Sequence, residues 1–165
     1  MTSDRVVVIT VSDRCARGEA EDRSGPAAVR LLQQAGLTDV ATHLVPDGVE
    51  PVRDVLRTAL GGGARLVLTT GGTGITPRDL TPEGTRAVLE YEVPGIAEAV
   101  RQRGIAAGVP SAALSRGLAG VARAADGTRA LVVNLPGSSG GVRDGVEVVL
   151  ALWQHVRSQL DGGDH

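Results

Sequence analysis

The chain reads as an α/β protein, a mostly parallel sheet with helices on both faces and an antiparallel hairpin in its second half. Three observations predict this. From Val6 to Glu90, apolar runs of strand length alternate with amphipathic segments of helix length, the pattern of right-handed βαβ crossovers. The first run, Val6 to Val11, is continuously β-branched rather than alternating, which marks a strand buried on both faces. Asp126-Gly127 separates two apolar runs, Leu118 to Arg123 and Arg129 to Val133, and an Asp-Gly turn in that setting signals a hairpin.

Each element has a local reason. The first strand ends in Ser12-Asp13-Arg14, and Cys15 to Arg23 is small and charged, hence a loop. Ser24-Gly25-Pro26 starts a helix, with Ser24 as N-cap, and Ala28, Leu31, Leu32 and Ala35 give it one apolar stripe. Gly36 stops it. Val40 to Val45 is the second strand, with Leu44 and Val45 inward or paired, closed by Pro46-Asp47-Gly48. Glu50 to Leu60 is a helix with Val52, Val55, Leu56, Ala59 and Leu60 on one side, ended by three glycines. Leu66 to Thr69 is the third strand. Glu83 to Glu90 and Ile96 to Arg103 read as helices, the second opened by Pro94-Gly95. Val142 to Leu160 is a long final helix whose stripe carries the only Trp, a face suited to assembly, and Asp161 to His165 is a frayed tail.

Composition narrows the function. One domain, 1–165, is the natural division of 165 residues. Phe is absent, so Val, Leu, Ile and Ala must build the core. The net charge of −2 leaves no footprint for nucleic acid or an anionic membrane surface. All 17 basic residues are Arg, which excludes a lysine Schiff base, a lysine general base and a Walker-type lysine. A single cysteine, Cys15, allows no intrachain disulfide, and three scattered His do not make a zinc site with it. Met1 to Arg5 leads straight into the first strand, so no signal peptide is expected, and no apolar run has the length of a membrane span. The expectation is a cytoplasmic protein.

The candidate site centres on Thr69 to Pro82, which follows the third strand. Gly71, Gly72 and Gly74 leave the main chain bare, and glycine permits the positive φ that lets a ligand approach it. Successive N–H groups there suit an anion. Thr73 adds a hydroxyl, Arg78 a planar cation for phosphate, and Asp79 a carboxylate for a hard divalent metal. Asp79 as a helix cap and Asp47 as a plain turn residue are the simpler alternatives. Ser12, Asp13, Asp47 and the glycine loop all sit at carboxyl ends of strands, where open α/β sheets gather ligands. Asn134 to Gly141 is a second glycine-hydroxyl loop, bringing Pro136, Gly137 and Ser138 to the same edge.

These residues resemble the molybdopterin adenylyltransferase (MogA/MoaB) family. The resemblance rests on Thr10-Val11-Ser12-Asp13, Asp22-Arg23-Ser24-Gly25-Pro26, Val45-Pro46-Asp47, and above all the stretch Gly71 to Pro82. Pro94-Gly95, Leu114-Ser115-Arg116 and Asn134-Leu135-Pro136-Gly137 follow in order. It spans Arg5 to about Leu160 and departs at Ser138-Ser139, where relatives often carry a proline. The resemblance implies a three-layer α/β/α molybdopterin-binding fold and a homotrimer or hexamer. It also implies AMP transfer from ATP to the terminal phosphate of molybdopterin, with Mg²⁺. It makes Asp47 and Asp79 catalytic or metal-holding, Gly71 to Gly74 the phosphate loop, and Ser115 a polar residue near the pterin phosphate. Arg78 and Arg116 are either substrate ligands or partners of carboxylates. A molybdopterin carrier without transferase activity and a nucleotide hydrolase of the same fold remain open alternatives.

Overall fold

The computed structural model describes residues 4–163; Met1 to Ser3 and the last two residues of the expected tail lie outside them. Six strands form one sheet in the order β2-β1-β3-β6-β5-β4. These are β1 (Val6–Val11), β2 (Val40–Val45), β3 (Leu66–Thr70), β4 (Leu89–Glu92), β5 (Ala119–Arg123) and β6 (Arg129–Leu135). β2, β1, β3 and β6 run parallel, and β5 runs antiparallel to both of its neighbours, β6 and β4. The helices are α1 (Asp13–Ala16), α2 (Ser24–Gln34), α3 (Val49–Gly61), α4 (Thr81–Arg86), α5 (Pro94–Ala106) and α6 (Ser139–Leu160), with a 3-10 turn over Pro110–Leu114.

The continuous apolar strand does what its sequence demands. Side chains alternate across a strand, so Val6 and Val8 enter one core and Val7, Ile9 and Val11 the other. α2, α5 and α6 cover the first core; α3 covers the second, with α4 packed beside it. This is the three-layer α/β/α arrangement. Each fully buried Val or Leu contributes about 1.5–3 kcal/mol, and β1 supplies such residues to both layers at once. Trp153 and the α6 stripe are buried in the first core. That stripe is covered by the chain itself and supplies no argument for assembly.

Four local expectations are corrected. Glu83 to Glu90 is not one helix: α4 ends at Arg86 and Leu89–Glu92 is the edge strand β4. Ser24 does not cap α2. Asp22 Oδ1 accepts from the Gly25 amide at 3.0 Å, while Ser24 Oγ meets Thr70 Oγ1 at 2.7 Å; a carboxylate is the stronger partner for a helix N-terminus. Of the two alternatives for Leu44, the paired one holds and the inward one fails: it pairs with Thr10 of β1 but is 45% exposed on the edge strand β2. Asp161, at the start of the expected tail, pairs with Arg65 at 2.6 Å.

The site follows from where the loops go. β3 lies between β1 and β6. The chain leaving β1 and β6 turns to one face, into α2 and α6, whereas the chain leaving β3 turns to the other, into α4. Neighbouring strands whose continuations diverge leave a crevice at their carboxyl ends. Here there is one on each side of the loop that follows β3.

Candidate active site

Gly71 and Gly72 carry the turn out of β3 with φ of +91° and +66°. A Cβ on Gly71 would meet the Val11 carbonyl oxygen at 2.4 Å, and one on Gly72 would meet Thr81 Oγ1 at 2.2 Å. Only glycine fits either place. Gly74 is different: its φ is not positive, and a Cβ there would meet only the Asp79 carboxylate, at 2.8 Å. The expected need for positive φ thus holds at Gly71 and Gly72 and fails at Gly74.

The loop's amides divide in two groups. The Gly71 N–H is taken by the Leu135 carbonyl at 3.1 Å, and the Thr76 N–H by Asp79 Oδ2 at 3.1 Å. The amides of Gly72, Thr73, Gly74 and Ile75 donate to nothing among the described residues. Across from them, at the start of α6, the amides of Gly137, Ser138 and Ser139 are equally free among those residues. Ser138 caps that helix, its Oγ accepting from the Gly141 amide at 3.1 Å. Two runs of free amides, one of them at a 22-residue helix's N-terminus, make this edge attractive to anions.

Two cavities flank these loops. One, of about 310 Å³, is bounded by Thr73 and Gly74, by Ser115, and by Pro136 and Ser138. The other, of about 370 Å³, lies between Ser12, Gly71, Gly137 and Ser138. Ser138 lines both. The structure therefore brings Ser12, Gly71, Thr73, Gly74, Ser115, Pro136, Gly137 and Ser138 to one edge, as expected. Asp47 and Asp79 line neither cavity.

Asp13 and Asp47 are locked together. The Asp13 amide donates to Asp47 Oδ2 and the Asp47 amide donates to Asp13 Oδ1, each at 3.0 Å. This exchange ties the ends of β1 and β2 and leaves Asp47 Oδ1 near Gly72. Burial pushes the Asp47 carboxyl above the usual carboxylate range, and the charges of Asp13 and Asp79 push the same way. The Asp13 amide and the Arg78 charge oppose them. Asp79 does not cap α4; its Oδ2 accepts from the Thr76 amide and hydroxyl, the latter at 2.6 Å.

The two arginines separate. Arg116 is a brace. Its Nε donates to the Gly74 carbonyl at 2.9 Å, one Nη to the Asp79 carbonyl at 2.6 Å, and the other to Glu83 at 2.6 Å. Its own amide donates to the Thr73 carbonyl at 2.7 Å. The bond from Arg116 holds the Glu83 carboxyl below its usual range. Arg78 is exposed and makes no hydrogen bond or ion pair among the described residues, so its guanidinium is available to a ligand.

Two positioning networks were not legible in the sequence. Asn134 Nδ2 donates to Thr69 Oγ1 and Thr85 Oγ1, both at 2.9 Å, and Asn134 Oδ1 accepts from the Leu118 amide at 3.0 Å. All three side chains are buried, so the bonds join β3, α4 and β6 directly behind the glycine loop. The one available signal is an Asn inside the otherwise apolar run Leu131 to Leu135. In the second network Asp22 Oδ2 accepts from Thr10 Oγ1 at 2.7 Å, tying the loop after α1 to the end of β1.

A divalent cation fits the carboxylates in chemistry. Asp47 and Asp79 each keep an oxygen that accepts no hydrogen bond among the described residues, and a cation would offset the burial, and to a lesser degree the neighbouring charges, that raise Asp47. No group of three or more His, Cys, Asp or Glu gathers among those residues.

The comparisons with known proteins agree with this fold. Residues 7–155 match the family model described as a probable molybdopterin binding domain. The chain is 39% identical over 158 residues to the molybdenum cofactor biosynthesis bifunctional protein of Synechococcus elongatus. The match takes in 96% of the chain but about half, 48%, of that protein. It is 38% identical to the molybdopterin adenylyltransferase of Pyrococcus furiosus over 90% of the chain and 86% of that enzyme. The crystal structure of the molybdopterin biosynthesis enzyme MoaB from Thermus thermophilus superimposes with a TM-score of 0.86 at 44% identity, covering 96% of the chain and 97% of its own. Among the described residues no helix is long and apolar enough to cross a membrane. With its loops, carboxylates and sheet order in place, the chain belongs to the molybdopterin adenylyltransferase (MogA/MoaB) family.

Proposed function

We propose that this protein transfers AMP from ATP to the terminal phosphate of molybdopterin. The observation that carries the reading is the pair of cavities on either side of the β3 loop, meeting at Ser138. A reaction that joins two phosphates needs two substrate spaces with a shared anionic centre, and residues with free amides on both loops, Thr73 and Gly74 on one and Gly137 to Ser139 on the other, line these spaces. Molybdopterin occupies the cavity at Ser115, and the nucleotide the cavity at Ser12 and Gly71. An oxygen of the molybdopterin phosphate attacks the α-phosphorus of ATP; the new P–O bond forms as the bond to the bridging α,β-oxygen breaks, and pyrophosphate leaves.

Both reactants are anions, so charge neutralisation and positioning are the main catalytic work. The amides of Gly72 to Ile75 and Arg78 supply fixed positive potential at the transferring group. Asp47 and Asp79 are the residues that would hold Mg²⁺, which would supply neutralisation of the phosphate oxygens. Arg116 keeps the loop carbonyls turned away from the anions. No side-chain nucleophile is required. Incubation with molybdopterin, ATP and Mg²⁺, followed by mass detection, tests the reading: adenylylated molybdopterin and pyrophosphate support it, and binding without turnover leaves the carrier function instead.

The same reading includes a cytoplasmic homotrimer, as the family resemblance implies. The exposed side chain of Ile105, in the last turn of α5, is apolar surface outside both cavities that assembly would cover. Light scattering showing a monomer at micromolar concentration removes this part.

A further inference from the structure

We infer that Asp144 selects the pterin by accepting hydrogen bonds from its 2-amino group and N3–H. The inference rests on the assignment of the Ser115 cavity to molybdopterin. Asp144 lies one and a half turns into α6 and lines that cavity. It is the only acidic residue among the lining side chains. Its side chain is only 13% exposed, and its one polar partner among the described residues is Arg143 Nε, 4.0 Å away on a side chain 64% exposed. At that distance the contact is an ion pair without a hydrogen bond.

A largely buried carboxylate without donors is costly unless a partner arrives. None of the side chains lining the cavity donates a hydrogen bond to this carboxylate. Arg101 also lines it but is engaged with the carbonyls of Ser115 and Gly117, at 3.3 and 3.2 Å, and with Glu98. Much of the remaining wall is apolar or small, including Val100, Val109, Ala112 and Leu114. Such a wall suits a flat ring, and a single polar group then fixes the ring's orientation. An ionised carboxylate only accepts and can take two parallel N–H bonds. The 2-amino-4-oxo pyrimidine edge of a pterin presents two such donors side by side. Adenine presents one donor beside an acceptor, so the same carboxylate works against nucleotide in this cavity. Selection here therefore has an attractive and a repulsive part.

The test uses the intact protein and two probes, 6-hydroxymethylpterin and 6-hydroxymethyllumazine, titrated by their own fluorescence. The lumazine replaces the 2-amino group with an oxygen. The wild type should prefer the pterin by about 10- to 100-fold, the scale of a hydrogen bond to a charged group. Asp144→Asn should lose or reverse that preference, because its amide can donate to the 2-oxo group. An unchanged thermal midpoint and unchanged ATP affinity verify that the variant is folded. If Asp144→Asn keeps the pterin preference, the inference falls while the cavity assignment stands. If the wild type shows no preference, or binds neither probe, the inference falls too. Formation of adenylylated molybdopterin then decides separately whether the transferase reading survives.

Discussion

Gly71 and Gly72 are held by tight packing at positive φ, whereas Thr73 to Asp79 is held by polar side chains, its own Asp79 and Arg116 from elsewhere in the chain. In the first stretch, both residues have positive φ and sit against Val11 and Thr81 with no room for a Cβ. The Thr81 amide and hydroxyl add bonds to the Gly72 and Gly71 carbonyls at 3.1 and 2.9 Å. In the second stretch, Ile75 is 68% exposed and the backbone depends on Asp79 and Arg116. The difference separates two tasks. The first stretch sets the direction of the chain as it leaves the sheet. The second presents amides and a carboxylate to solvent and ligand, and its supports are polar and individually weak.

Changes to the first stretch should therefore damage the fold, and changes to the second should damage function at nearly constant stability. The largest effect belongs to Gly71→Ala. The Val11 carbonyl cannot yield without moving β1, so unfolding stability should fall by about 3 kcal/mol from strain and overpacking together. Denaturant unfolding measures it, and a loss below about 1 kcal/mol breaks the distinction. Arg116→Gln comes next. It frees the Gly74 and Asp79 carbonyls, so kcat/KM should fall about tenfold as near-attack geometry loosens. Stability at neutral pH should move by less than about 1 kcal/mol, because the pair with Glu83 is exposed.

That pair also has a pH signature. The Glu83 carboxyl is held below its ordinary value of 4.5, mainly by its bond from Arg116. Its stabilising contribution is complete above 4.5 and is lost as pH falls through the depressed folded value. The wild type and Arg116→Gln should therefore converge in acid. Asp47 has the opposite sign and the smallest effect. Its carboxyl is raised above 3.8 by burial, so its ionised form is a cost to folding that is full above the folded value. Asp47→Asn keeps an acceptor for the Asp13 amide and removes that cost. It should unfold at a slightly higher temperature than the wild type at neutral pH, with the gain vanishing below pH 3.8, while turnover falls. Thermal unfolding across pH checks both signs.

What the sequence disclosed follows the same division. Strands whose neighbours lie on both faces, such as Val6 to Val11, read plainly because burial dictates every residue. Leu89-Glu90-Tyr91-Glu92 did not, since it is an edge strand with one apolar side and follows α4 without a glycine or proline to mark the break. Gly71 and Gly72 were legible as a bare turn, but only coordinates separate their positive φ from the ordinary φ of Gly74. Asp47 and Asp79 were legible as carboxylates at strand ends. Their partners were not, because Asp13 and Asp47 meet across 34 residues. The same holds for Arg116 and Glu83, 33 residues apart. Asn134 was visible only as the head of a loop, although its side chain is buried in the sheet.

The most direct test of the account is Asp79→Asn, assayed for both turnover and binding. The amide oxygen of Asn can keep the bonds from Thr76, so the loop holds its shape while one charge disappears. Adenylyl transfer should fall about 100-fold, the scale of losing one preorganised electrostatic group. The dissociation constant for molybdopterin should stay within about twofold of wild type, because the free amides remain. Turnover equal to wild type at saturating Mg²⁺ would contradict the account and leave Asp79 as a purely local lock on Thr76.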